Sequence, residues 1–425
     1  MLIRLTVENY TSICTPQTLN LEAMPYKEKS ESNLISWTNE HDNLNLLRTA
    51  AIYGPNSGGK SNFISALDNM CKIVNKSATN EVDDELPYKP FKLSTESLNK
   101  PTEFEVEFIV DNVKYLYGFS YNSTRILSEW LFAYPKKKAQ KWFLRAWDGE
   151  EYQWETGRNL VGEKQTWINS TRQNSLFLST AVQLNSSQLK PIYSWFKQRV
   201  AIAGVEGWSR EFSARECDDT QRKEKILDLL RSVDIVLDDI AVEKEEFDPS
   251  SLPEQLSNEF KAKIAEKLKN ETMYKPVFQR RNNKGSLVDF DLSEESDGTN
   301  RFFAFAGPWL DALEAGRVLI VDELNSNLHP LLVKHLVSLF HCSKSNPNNA
   351  QLIFTTHETS ILNQDIFRRD QVWFMQKNKE LMSELYSLSD FSPRKGFDNL
   401  EDRYLSGSYG ALPFVYWEDC KDGVR

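Results

Sequence analysis

The chain has 425 residues, of which 40% are hydrophobic, 12% aromatic and 26% charged, a balance that fits an ordinary globular protein and excludes a disordered or collagen-like one. Lysines and arginines number 51 against 61 aspartates and glutamates, a net charge of −10, so a general attraction to nucleic-acid phosphates is excluded and only local basic patches remain. The first residues alternate instead of building an apolar signal core, no stretch reaches the roughly 18 unbroken apolar residues of a membrane span, and the five scattered cysteines form no CxxC pair; a reduced, cytoplasmic protein without a membrane segment is expected.

In chain order, Ile3 to Val7 and Leu19 to Leu21 alternate as short strands, followed by a polar loop to about Asn45. Thr49-Ala50-Ala51-Ile52-Tyr53 is a compact apolar run that predicts a buried strand. After Gly54-Pro55-Asn56, the spacing of Phe63, Ile64, Leu67, Met70 and Cys71 predicts a helix from Ser61 to Val74. Alternation returns between Pro101 and Trp147 and predicts an antiparallel meander. From Cys217 to Tyr274 the period is helical, with Ile226, Leu229 and Leu230 early and Phe260, Ile264, Ala265 and Leu268 late, on either side of the breaker Asp248-Pro249-Ser250-Ser251. A helical hairpin or small lid is expected there. A strand at Leu287 to Leu292 and a helix at Thr299 to Ala315, with Pro308 as a kink, come next. Val318 to Val321 and Gln351 to Thr355 are short, β-branched runs with a helical stretch, Leu331 to Phe340, between them: a βαβ unit with buried parallel strands.

Gly54-Pro55-Asn56-Ser57-Gly58-Gly59-Lys60-Ser61 fits the phosphate-binding pattern GxxxxGK[ST]. Glycines let successive backbone N–H groups point into one concavity, and the following helix N-terminus adds positive potential. Lys60 would reach the β- and γ-phosphates of a nucleotide and Ser61 would ligate Mg2+. Val318 to Val321 deliver Asp322 and Glu323 at a strand end, where an α/β sheet places its ligands; Asp322 would hold Mg2+ and Glu323 would polarise the attacking water. His357 closes the next strand and would contact the γ-phosphate. Before the helix near residue 300, Ser296 and Gly298 offer a hydroxyl and a backbone donor to an anion, although Ser296 or Thr299 serves equally well as a plain N-cap.

The order of these motifs resembles the ABC ATPases of the SMC and RecF type, in which a serine-glycine signature caps the nucleotide of the opposite subunit. Asn56 in the phosphate loop, Ser296-Asp297-Gly298-Thr299, the run Asp322 to Pro330 and the run Arg403 to Pro413 narrow the resemblance to the stand-alone AAA-type ATPases of bacterial abortive-infection and restriction-linked operons, the RloA and AbiL kind, related to the ATPase subunit of the PARIS phage-defence system. The likeness implies an ATP- and Mg2+-dependent enzyme that forms a homodimer or higher homo-oligomer through its ATP sites. It also implies control of a separately encoded toxic effector, such as a Toprim-like nuclease. Ser326 matches the D-loop, which in that family touches the other subunit. There are departures: Asp297 stands where transporters have glycine, Gln183 is a weak candidate for the Q-loop, and too few residues follow Pro413 for a fused nuclease domain.

The expected fold class is α/β, a P-loop NTPase head of the ABC type with an antiparallel β meander subdomain and a helical insertion. The expected division is residues 1–160 and 286–425 as the two halves of the head, with 161–285 as a mainly helical insertion for lid or partner docking. The rival to anti-phage defence is an ATP-dependent DNA-binding clamp of the RecF or SMC kind, and a third reading is a scaffold that only binds nucleotide. Nucleic acid has two candidate contacts, Lys136 to Lys138 with Lys141 and Arg145 beside Trp142 and Trp147, and Arg280-Arg281 with Lys284. The bland reading of such tips is solubility and edge protection. His335 and His341 are expected at the surface of their helix.

Overall fold

The computed structural model describes residues 1–204, 207–246, 257, 261, 272–391 and 399–413. Thr49–Tyr53 lies inside a six-stranded sheet whose order is Val200–Ala203, Val318–Val321, Gln351–Thr355, Thr49–Tyr53, Val372–Lys377 and Ser383–Ser387. The first five are mutually parallel and the sixth pairs antiparallel. Residues 49–53 and 318–321, far apart in sequence, are thus separated by a single strand. Alternate residues face opposite layers: Ala50, Ile52, Val318 and Ile320 join one core, while Ala51, Tyr53, Leu319 and Val321 join the other. Burial on both faces explains why these strands read as continuous apolar runs.

The first core lies between this sheet and a seven-stranded antiparallel sheet, ordered Tyr152–Thr156, Gln140–Trp147, Ile126–Tyr134, Val113–Tyr121, Thr102–Val110, Leu2–Glu8 and Gln17–Asn20. The helix Lys60–Lys76 fills the gap, burying Phe63, Ile64, Leu67 and Met70 in the same cluster as Val7, Phe104 and Tyr117. The meander expected from alternation is therefore present. Its first turn is Asp111-Asn112, both with positive φ (48° and 60°), which is the two-residue connection that matches strand twist.

The second core holds the helices Thr220–Arg231, Asp297–Ala315 and Pro330–His341 against the other face of the parallel sheet. Pro308 does lie inside the middle helix. Its ring nitrogen has no proton for the carbonyl of Ala304. The hydroxyl of Ser213 supplies one instead, donating to that oxygen (3.3 Å) while accepting from Gly307 N–H (3.0 Å).

Three expectations are corrected. The supposed polar loop before Asn45 contains a hairpin, Leu34–Thr38 paired with Asn43–Leu47, whose Ile35, Trp37 and Leu46 bury against Ile3 and Ile109. The stretch expected to be a mainly helical insertion has helices, but Val200–Ala203 is the edge strand of the parallel sheet, and Asp239–Glu246 is a strand paired with Thr272–Arg281, which pairs in turn with Leu287–Phe290. The apolar residues of 239–246 are too few to separate a period of two from one of 3.6. The late helical set Phe260, Ile264, Ala265 and Leu268 lies outside the described residues. Lastly, His341 is largely buried, its Nε2 2.9 Å from Thr49 Oγ1, and burial pushes its pKa down to about 3. Its partner His335 meets Ser232 at the surface.

One buried ion pair anchors the antiparallel sheet. Glu129 is fully buried and accepts from Tyr117 Oη–H (3.0 Å), Phe177 N–H (2.6 Å) and Leu178 N–H (3.0 Å), with Arg145 Nη1 at 3.9 Å. Truncating one member of such a pair leaves the other charge uncompensated and two amides without acceptors. Glu129→Ala should therefore cost about 3–5 kcal/mol of stability, read as a lowered midpoint in urea denaturation. A midpoint equal to that of the unmodified protein would contradict this account.

Candidate functional site

The strand Thr49–Tyr53 ends in a loop that the neighbouring strand forces to be glycine-rich. A Cβ on Gly54 (φ +150°) would lie 2.0 Å from the carbonyl oxygen of Met375. Gly59 (φ +108°) is held against Ser383, whose Oγ would lie 2.1 Å from any Cβ there. The helix begins immediately afterwards at Lys60. Pro55, Asn56, Ser57 and Gly58 form the rim between, Asn56 and Ser57 exposed and Gly58 buried, and Ser61 presents an exposed hydroxyl in the first turn.

Lys60 is buried, and its ammonium donates to the carbonyls of Gly54 (2.8 Å) and Pro55 (3.1 Å). Its third neighbour is Nε2 of His357 at 3.1 Å. Burial lowers the Lys60 pKa to about 8 against the opposing pull of Asp322 and Glu323. His357 is pushed below its ordinary value, first by burial and then by the Lys60 charge. At neutral pH the lysine is therefore the cation and the imidazole the acceptor. Sequence reasoning placed these two residues on the same nucleotide, and the fold brings them into contact.

The carboxylates are locked by a threonine to which sequence reasoning gave no role. Thr355 Oγ1 donates to Asp322 Oδ1 (2.5 Å) and accepts from Glu323 N–H (2.7 Å). Asp322 is buried at the strand end. Glu323 adopts a left-handed backbone (φ 52°), uncommon for a residue with a Cβ and typical of functional positions. Its Oε2 accepts from Ser326 Oγ–H at 3.2 Å. Asn325 then bridges to the next loop, its Oδ1 accepting from Thr356 Oγ1–H (2.9 Å) and His357 N–H (3.2 Å). Nothing in the motif alphabet points to Thr355, and Asn325, although inside the run Asp322 to Pro330, was given no role there; their signal is position, one strand end facing another.

Ser296 is exposed and caps the helix Asp297–Ala315, its Oγ accepting from Thr299 N–H at 3.1 Å. Among the described residues neither Ser296 nor Gly298 bonds to the phosphate loop of its own chain. A Cβ at Gly298 would come within 3.3 Å of the Asn327 carbonyl, so the helix start rests on the turn after the two carboxylates. Arg301, one turn on, packs its guanidinium 5.0 Å from the Phe305 ring and feels the charge of Glu323. Gln183 ends the helix Phe177–Gln183 with an exposed side chain.

An oxygen set of one serine hydroxyl and one buried aspartate is what Mg2+ accepts, since that ion keeps waters and substrate phosphates in its remaining positions. Ser61 and Asp322 are thus a chemically fitting pair. Among the described residues, no group of three His, Cys, Asp or Glu side chains gathers elsewhere to hold a metal.

Residues 50–363, well over half of the chain, match the family described as "AAA domain, putative AbiEii toxin, Type IV TA system". The chain belongs to this family. That makes it an AAA-domain protein, and the glycine loop before Lys60 has the sequence of a phosphate loop. No curated protein matches the sequence significantly. Solved structures with similar coordinates include the SMC head domain from Thermotoga maritima (TM-score 0.39, 11% identity, covering 91% of this chain and 98% of that one). Others are an SMC head bound to the C-terminal winged-helix domain of ScpA (0.38, 12%, 91% and 97%) and the recombination mediator RecF with ATP (0.36, 14%, 91% and 99%). Within the AAA chain, no described helix is long and apolar enough to cross a membrane.

The two basic clusters look different in three dimensions. Lys136, Lys137 and Lys138 form an exposed hairpin tip. Trp142 is buried, Arg145 is committed to Glu129, Lys141 pairs with Glu155, and the Trp147 ring is covered by Arg125 at 4.0 Å. Arg280 pairs with Glu295, and Arg281 lies 3.6 Å from Asp238.

Proposed function

We propose that this protein binds and hydrolyses ATP, dimerises around the nucleotide, and through that cycle regulates a separate effector in anti-phage defence. The observation that carries the first part is convergence. Lys60 holds His357 at 3.1 Å and feels both Asp322 and Glu323, so a cation, a neutral imidazole and two carboxylates meet at adjacent strand ends. In this reading the phosphates displace the Gly54 and Pro55 carbonyls as acceptors for Lys60, and backbone N–H groups of the loop after Pro55, which itself has none, line the triphosphate. Ser61 and Asp322 would hold Mg2+, which neutralises charge on the β- and γ-phosphates when bound. Glu323 takes the proton of the attacking water, and His357 contacts the γ-phosphate. A cleft of about 450 Å3 lined by Ser12, Asn62, Phe91, Leu93, Lys377 and Leu381 opens beside the same helix start and offers an apolar wall to the base.

Ser296 stands exposed at a helix start and, among the described residues, neither it nor Gly298 bonds to the phosphate loop of its own chain, which supports reading the pair as a cap on the partner's nucleotide. ATP with Mg2+ should therefore convert monomer to dimer in size-exclusion chromatography with light scattering, and phosphate should be released on incubation. Persistence of the monomer with no phosphate release would end this reading. The defence role rests on the resemblance to abortive-infection ATPases, and its test is plating efficiency. Co-expression with the adjacent gene should reduce phage plaques, and unchanged plating over a phage panel would remove the defence role while leaving the ATPase. The exposed lysines 136–138 favour a second reading as a DNA clamp, for which ATP-dependent, salt-sensitive duplex binding lost on their charge reversal is the distinguishing result.

A further inference from the structure

We propose that Asn325 is a positioning residue that sets His357 against Lys60 and ties the histidine's place to the turn carrying Glu323. The inference rests on the reading of His357 as a γ-phosphate contact. Its structural part stands on hydrogen bonds alone. His357 N–H is an obligate donor, so the Asn325 atom 3.2 Å away has to be the amide oxygen. The same oxygen takes the proton of Thr356 Oγ1 at 2.9 Å. That hydroxyl is committed in this sense because it accepts from Glu358 N–H (3.0 Å), leaving its own proton to point at Asn325. Thr356 and His357 thereby share one acceptor, and Glu358 is tied to it through the Thr356 hydroxyl.

The bland alternative is that Asn325 is simply a turn former. Its backbone does close a turn, Leu328 N–H donating to Asn325 O at 3.1 Å, but that bond asks nothing of the side chain. The side chain reaches the neighbouring strand's loop instead. Both ends of the bridge are anchored. Thr356 N–H donates to Ile52 O (3.1 Å), which holds the loop to the strand entering the phosphate loop. Thr355 fixes the start of the carboxylate turn, and Ser326 contacts Glu323 directly. A shift of residues 323–328 therefore moves the acceptor that holds the His357 backbone, and with it the imidazole whose Nε2 meets Lys60. Side chains coupled through a shared hydrogen-bond network respond as a unit.

Two variants separate positioning from folding. Asn325→Leu keeps the volume and removes the acceptor; Asn325→Asp keeps an acceptor oxygen. In Asn325→Leu, kcat should fall about 10- to 100-fold, the range expected when a reacting group is misplaced by about an ångström, with KM for ATP within about twofold. The double variant Asn325→Leu/His357→Ala should be no slower than His357→Ala alone. A readout independent of turnover is the tautomer of His357, followed by ring 15N shifts in the nucleotide-free protein, which has five histidines to assign. Lys60 donates to Nε2 and so fixes the proton on Nδ1; Asn325→Leu should let the Nε2–H form grow in, and Asn325→Asp should restore the original tautomer. Additive losses in the double variant, or an unchanged tautomer in Asn325→Leu, would overturn the proposal. If the unmodified protein releases no phosphate, the ATPase reading fails, and the tautomer comparison still decides this one.

Discussion

Lys60→Ala should abolish nucleotide binding, with affinity for a fluorescent ATP analogue reduced by at least about 100-fold. The ammonium is buried inside the loop's contacts, within reach of two carbonyls and one imidazole. A hydrogen bond to a charged group contributes about 1.5–3 kcal/mol, and two such bonds to phosphate oxygens would account for about 3–6 kcal/mol; each 1.4 kcal/mol is tenfold in affinity. Desolvation does not cancel this, because burial has already lowered the Lys60 pKa to about 8 in the nucleotide-free loop. That cost is met on folding, before the ligand arrives. The variant also frees His357 Nε2 and removes the lysine donor from the Gly54 and Pro55 carbonyls, of which Pro55 keeps its bond from Gly58 N–H (2.9 Å), so its thermal unfolding should be compared in parallel. Unaltered ATP affinity in a folded Lys60→Ala protein would dismiss the phosphate loop as the site.

Features governed by short-range rules were legible in the amino-acid order. Gly54, Gly59 and Lys60 stood out because a phosphate loop needs positive φ and a helix start within eight residues. The strands carrying Asp322 and His357 were legible because burial on both faces makes them uniformly apolar. Thr355 and Asn325 were not, since their importance comes from strands 49–53, 318–321 and 351–355 lying side by side, which no local pattern encodes. Met375 could not be found at all, because it acts through a main-chain carbonyl packed on Gly54. The strand Asp239–Glu246 was misread for a different reason: its outer half is charged and exposed, so no core face gives its period away. Arg145 shows the opposite error. Read as part of a basic surface, it is fully buried on Glu129, and composition around it carried no trace of that pairing.

The second large effect is expected at Glu323. Glu323→Gln should retain ATP affinity, lose about 10²- to 10⁴-fold in kcat, the usual contribution of a general base, and accumulate as an ATP-bound dimer. The substitution is well matched to the question because the backbone of residue 323 is held by Thr355 through its amide and not through its carboxylate, and glutamine can still accept from Ser326 through its amide oxygen. Shape is conserved while the capacity to take a proton is lost. Asp322, the proposed Mg2+ ligand, keeps its Thr355 bond, so binding and hydrolysis should separate cleanly. Combining Glu323→Gln with Ser296→Ala tests whether the signature acts across the dimer. If Ser296 caps the partner's nucleotide, the double variant should bind ATP but remain monomeric in light scattering. A dimer that forms equally well without the Ser296 hydroxyl would leave the serine as a helix cap and nothing more. Wild-type turnover by Glu323→Gln would move the general base to another residue, and the left-handed backbone at Glu323 would then need a different explanation.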